Sequence, residues 1–96
     1  MIVSMLQFII ELPETTSIKD KRRIVKSIKD KTRRKFHVSC AEVDLQDSLR
    51  FAQLGAALVS NSTEFGETVM HSILTSIEHD CSIRMHDAQT HSERFD

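Results

Sequence analysis

Ten of the thirteen Lys and Arg residues fall between Ser17 and Lys35, and only Asp20 and Asp30 oppose them there. That stretch carries a formal +8, whereas the three basic and twelve acidic residues elsewhere give −9. A chain of net charge −1 is therefore strongly polarised. The chemistry open to such a run is phosphate binding. Cations on one exposed arc displace condensed counterions and hold a polyanion in a salt-dependent, sequence-independent way. Lys19, Arg22, Arg23, Lys26, Lys29, Arg33 and Arg34 are the candidate nucleic-acid contacts. The competing reading is a solvated face whose charge is balanced by the acidic remainder, across a dimer contact or within one chain.

Lys21 breaks the pattern, because it falls on the apolar side of the same stretch. One reading is a snorkelling lysine whose stem covers the core edge while its ammonium reaches water. Another is an ion pair with Glu42 or Asp47, since a desolvated ammonium needs such a partner. A directly functional lysine is the third.

Other reactive side chains form no constellation. His71 and His79 are eight residues apart, more than two helical turns, and His86 and His91 bracket the chain's end without HxxxH or CxxC spacing. No metal site and no cofactor is expected. Cys40 near His37 invites a thiol nucleophile, but their odd separation on a strand would point the side chains to opposite faces. Cys40 therefore reads as a core cysteine. Glu42, Asp44 and Asp47 cluster as turn carboxylates, with nothing to favour general acid–base catalysis. The chain is expected not to be an enzyme.

The elements that must position these groups follow from periodicity. Ile2 to Leu12 reads as a strand with Leu6, Phe8, Ile10 and Leu12 on one face and Val3, Met5 and Ile9 on the other. Ser17 with Asp20 resembles a capping box. At about 100° per residue, Ile18, Val25, Ile28, Thr32 and Phe36 share one arc, Ile24 lies at its edge, and the cations take the opposite arc. That is an amphipathic helix. Phe36 to Val43 reads as a second strand, Asp44 to Asp47 as a turn, and Leu49 to Ser60 as a third strand in which Gly55 marks a bulge or close approach. Asn61, Ser62 and Thr63 offer N-caps for a second helix, through Phe65, Val69, Met70, Ile73, Leu74 and Ile77. Cys81 to about Ala88 is a weak fourth strand, and residues 90–96 read as a polar frayed tail.

The order β-α-β-β-α-β with right-handed crossovers gives a ferredoxin-like α+β fold. Its antiparallel sheet would run 4-1-3-2 with both helices on one face, in one domain over residues 1–89. Cys40 and Cys81 would then sit on opposite edge strands, too far apart for a disulfide. The other face exposes Val3, Met5 and Ile9 with either Phe51, Ala57 and Val59 or Leu54 and Leu58. An apolar face of that kind usually has a cover, and a sheet-to-sheet homodimer is the expected one. Single-stranded RNA readout is disfavoured, because it needs exposed aromatics on the sheet and the chain has neither Tyr nor Trp. The apolar start Ile2 to Ile10 is too short to span a membrane and lacks a signal-peptide pattern. A cytoplasmic location with reduced thiols is the expectation.

The string Ser17-Ile18-Lys19-Asp20-Lys21-Arg22-Arg23 with Val25-Lys26-Ser27 resembles the most recognisable segment of the YlxP-like family, small bacterial proteins of unknown function. The resemblance continues through Phe36-His37-Val38-Ser39, Ala41-Glu42-Val43, Asp47, Leu54-Gly55 and Val59-Ser60-Asn61. It implies a ferredoxin-like fold in a bacterial cytoplasm. Members are often encoded beside translation-initiation and ribosome-maturation factors, which implies a role near ribosomal RNA or a ribosome-associated protein. The family has no established active site, so no functional residue carries over. His86, His91 and Arg94 depart from the more acidic, regular ending expected of it. The expected function is RNA or ribosome association through the basic helix. The alternative is a homodimeric protein-interaction or small-ligand regulatory module with no nucleic-acid role.

Overall fold

A computed structural model describes residues 1–80 and 82–96. The chain runs β1 (Ile2–Glu11), α1 (Ile18–Phe36), β2 (Ser39–Asp44), β3 (Phe51–Ser60), α2 (Thr63–Glu78) and β4 (Arg84–Arg94). The strands form one antiparallel sheet in the order β2-β3-β1-β4, the ferredoxin-like α+β arrangement.

Alternation along β1 decides which face the helices cover. Ile2, Ser4, Leu6, Phe8 and Ile10 are buried. Their neighbours on β3, Ala52, Leu54 and Ala56, join Cys40 of β2 on the same face. Val25 of α1 and Met70, Ile73 and Ile77 of α2 close the core against them. At about 25 cal/mol per Å² of buried apolar surface, this one layer supplies most of the drive to fold.

Each helix starts where a hydroxyl can accept an orphan N–H. The Ser17 side chain accepts from the Asp20 amide at 3.1 Å, and Ser62 accepts from the Phe65 amide at 3.2 Å. The carboxylate of Asp20 pairs with Arg23. At the other end of α1, His37 takes φ 54° and its N–H returns to the Arg33 carbonyl. This left-handed cap reverses the chain before β2. Phe36 is therefore the last residue of the helix and not the first of the second strand. His37 is likewise a helix cap outside the strand, so the strand-parity argument about His37 and Cys40 does not apply. Cys40 is nevertheless buried in the core, as expected.

The fourth strand corrects the expected domain boundary. Residues 90–94, read as a frayed tail, are paired with β1: Thr90 opposes Leu6, Ser92 opposes Ser4 and Arg94 opposes Ile2. The sequence hid this because Thr90, His91, Ser92 and Glu93 lack the apolar alternation of a buried strand. On an edge partnered by β1, backbone hydrogen bonds suffice. A register shift between Gln7 and Ile9 accommodates Asp87, whose φ is 52°. The expected start of that strand at Cys81, and the expected separation of the two cysteines, lie outside the described residues.

Gly55 shows the close approach that its place in a strand predicts. A Cβ there would lie 3.3 Å from Cγ1 of Val43, where β2 bulges between Glu42 and Asp44.

Candidate nucleic-acid interface

Nineteen residues of α1 extend for about 28 Å at 1.5 Å per residue. Their inward stripe is short: Val25 and Thr32 are buried, and Ile18, Ile24, Ile28 and Phe36 are half-buried. The Thr32 hydroxyl donates to the Ile28 carbonyl at 2.8 Å and so is not itself left unpaired. Apart from the buried Lys21, the remaining positions face outward or sideways, and this is where the other cations sit.

The seven candidate residues fall into two groups. Arg23 pairs with Asp20, Lys26 pairs with Asp30 at 2.8 Å, and Arg33 reaches the same Asp30 at 3.4 Å. The Lys26 hydrogen bond, with the charges of Lys26, Arg33 and Arg34, holds the Asp30 carboxyl below its usual range. Arg33 also donates to the Cys40 carbonyl, clipping α1 to the edge strand β2. Lys19, Arg22, Lys29 and Arg34 have no ion-pair partner among the described residues. Lys19, Arg22 and Arg34 are exposed, and Lys29 is half-buried. The two aspartates thus neutralise part of a single ridge, and the surplus positive charge stays on it.

Lys21 is not a snorkelling lysine. It is 1% exposed, and its ammonium lies beneath the β2–β3 connection. Nζ donates to the carbonyls of Leu45 at 2.7 Å and Ser48 at 2.6 Å, with Gln46 O at 3.4 Å. Glu42 Oε2 lies 3.4 Å from Nζ, the ion pair anticipated as one alternative. Asp47, the other anticipated partner, is exposed and not in contact with it. Glu42 Oε2 is buried and accepts no hydrogen bond from the described residues, so Lys21 balances its charge as an ion pair without a hydrogen bond. Leu45 at φ 65° turns its carbonyl toward the ammonium. Nothing in the side-chain pattern of Asp44 to Ser48 announces this cradle, because its acceptors are backbone atoms.

The opposite face of the sheet is open. Val59, Val43 and Phe51 are exposed, and Val3, Met5, Ile9 and Ala57 are half-buried. Of the two sets left open for β3, the outward one is Phe51, Ala57 and Val59, whereas Leu54 lies in the core. A shallow trough of about 550 Å³ crosses this face over Ala41, Gly55 and Ala57, walled by Met5, Gln7 and His91. At one corner His86 Nε2 meets Glu11 Oε1 at 3.0 Å, with the Phe51 ring 6.4 Å away. Phe51 is the one phenylalanine of the strands on this face, so bases would find no row of rings to stack on.

His71, His79 and His91 are exposed, and no three His, Cys, Asp or Glu side chains converge on a common point among the described residues. Burial pushes the Cys40 thiol up, against the opposing charges of Arg33 and Lys29. A thiol held protonated is a poor nucleophile. Among the described residues, no helix is long and apolar enough to cross a membrane.

The family described as "Protein of unknown function (DUF503)" matches residues 3–90, and the chain belongs to that family. No curated protein matches it.

Proposed function

We propose that this chain is a YlxP-like member of its family and a non-catalytic binding protein that docks on RNA, within or beside the ribosome, through the exposed ridge of α1. The reading rests on the unpaired cations Lys19, Arg22, Lys29 and Arg34 beside the partly neutralised Arg23, Lys26 and Arg33. Lys19 to Arg34 span about 22 Å of the helix at 1.5 Å per residue, on an outward arc of about 140°, which suits the backbone of a folded RNA. The shortage of rings on the sheet favours recognition of helical RNA by charge and shape over the reading of splayed bases.

Replacing Lys19, Arg22 and Arg34 together with Glu tests this directly. None of the three holds an ion pair or a core contact in the described structure, so the fold should persist by circular dichroism. Binding to ribosomal RNA at low salt should fall at least tenfold. The slope of log affinity against log salt should flatten by about 2 to 3, at roughly 0.7 to 0.9 per lost phosphate contact. Unchanged affinity and slope in a folded variant would remove α1 from the interface.

The open sheet face supports a second reading, a homodimer packed sheet to sheet. Val43, Val59 and Phe51 together with the trough form an apolar patch of the kind that marks an interface. The two readings are compatible, since the α1 ridge lies on the opposite side of the sheet.

A further inference from the structure

The C-terminal halves of α1 and α2 do not close on each other. They leave a crevice of about 490 Å³, within the size range of small-molecule sites. Its floor is apolar: Ile28 and Phe36 from α1, Ile77 from α2, and Ile83 from the segment leading into β4. Small polar residues, Thr32 and Ser76, stand where bulky side chains would fill the gap.

The rim is cationic. Lys31 and Lys35 project from the flank of α1 that faces α2, about a third to a half turn away from the outward ridge, and Arg34 stands at the border between ridge and crevice. A single carboxylate, Asp80, stands with them. It is already engaged by the Ser82 amide at 2.9 Å and the Ser82 hydroxyl at 2.6 Å. Those two bonds, with the nearby charge of Lys31, keep the Asp80 carboxyl below its usual range. Arg34 and Lys35 have no ion-pair partner among the described residues, and the Lys35 ammonium rests over the Phe36 ring at 5.3 Å from its centroid. Among the described residues, the crevice therefore combines an unfilled apolar floor with two surplus cations at its mouth.

We propose that this crevice binds a small amphipathic carboxylate, its hydrocarbon body on Ile28, Ile77 and Ile83 and its headgroup between Arg34 and Lys35. Either half alone would recruit weakly. A free anion would gain little from exposed cations in salt, and a neutral hydrocarbon would leave the rim charges without a partner. The two together select an anion with an apolar tail over a neutral or cationic one of the same length.

Decanoate, decanol and decyltrimethylammonium, titrated into the full chain and followed by methyl and amide NMR, separate these cases. Decanoate should bind saturably at one site, shifting Ile28, Ile77 and Ile83, and at least tenfold more tightly than decyltrimethylammonium. Lys31→Glu with Lys35→Glu should weaken decanoate at least tenfold while leaving decanol unchanged. Both positions lie outside the seven residues assigned to RNA, and Arg34, which the two readings share, is left intact in this variant, so the outcome stands apart from the fate of that reading. Non-saturating shifts, shifts centred on Ala57 and Val59 of the open sheet face, or equal affinity for all three probes would overturn the proposal.

Discussion

Lys21→Met is expected to lower the stability of this protein by about 3 to 5 kcal/mol, the cost typical of breaking a buried charge pair from one side. The methionine fills nearly the same volume on α1, so packing changes little and the loss is electrostatic. Glu42 keeps its carboxylate 17% exposed with no counter-charge. The carbonyls of Leu45 and Ser48 lose donors at 2.7 and 2.6 Å, and both face inward. For a domain of this size, such a loss corresponds to a fall in Tm of roughly 15 °C or more. Thermal melts and urea titration measure it. Adding Glu42→Gln to the methionine variant should recover part of the loss, because the orphaned charge goes while the orphaned carbonyls stay. Amide exchange of residues 45 to 50 should quicken more than that of β1. A loss under about 1 kcal/mol would mean that water reaches the cradle and replaces the ammonium.

Gly66→Ala should destabilise by about 2 kcal/mol, although alanine is the better helix former by about 1 kcal/mol. A Cβ on Gly66 would sit 1.9 Å from the Ser4 Oγ and 2.8 Å from the Ser4 Cβ. The hydroxyl can rotate away, at the cost of its 2.9 Å hydrogen bond to Ser92. The Cβ cannot, because it is fixed to the central strand. The first turn of α2 must lift from β1 instead, and overpacking of that kind costs typically 1 to 3 kcal/mol. Ser4→Gly in the same chain should relieve the clash, so a double-mutant cycle over the two positions should show a favourable coupling. Additive effects in that cycle, or a stabilised Gly66→Ala, would show that the two backbones stand farther apart than described. The pair also explains why a serine that is fully buried sits in a row of Ile, Leu and Phe on β1. Only a small side chain fits under the glycine.

What could be read from residue order was local and periodic. Alternation in β1 and β3 and the 3.6-residue stripe in α1 and α2 were visible because each buries one face, and burial imposes a period on residue type. The β4 edge strand carries no such period, for the converse reason. It pairs by backbone groups and leaves most side chains in solvent, so nothing forces its residues to alternate. Phe36 and His37 look like strand residues in the sequence because a left-handed cap at a histidine carries no composition signal as plain as a glycine would give.

The cationic helix, with its count of charges and the side on which they fall, was fixed by the amino-acid sequence alone, since helical spacing is the only geometry it needs. Which of those charges remain unpaired is a different matter. It depends on rotamers along α1 and on how far Arg33 stretches to the Cys40 carbonyl across an element boundary. The Lys21 cradle, the Ser4–Gly66 contact and the crevice between the helix ends belong wholly to the tertiary structure. Each is made by segments distant along the chain, and the small residues that it requires, Ser4, Gly66, Thr32 and Ser76, can be recognised as such only once those segments are brought together.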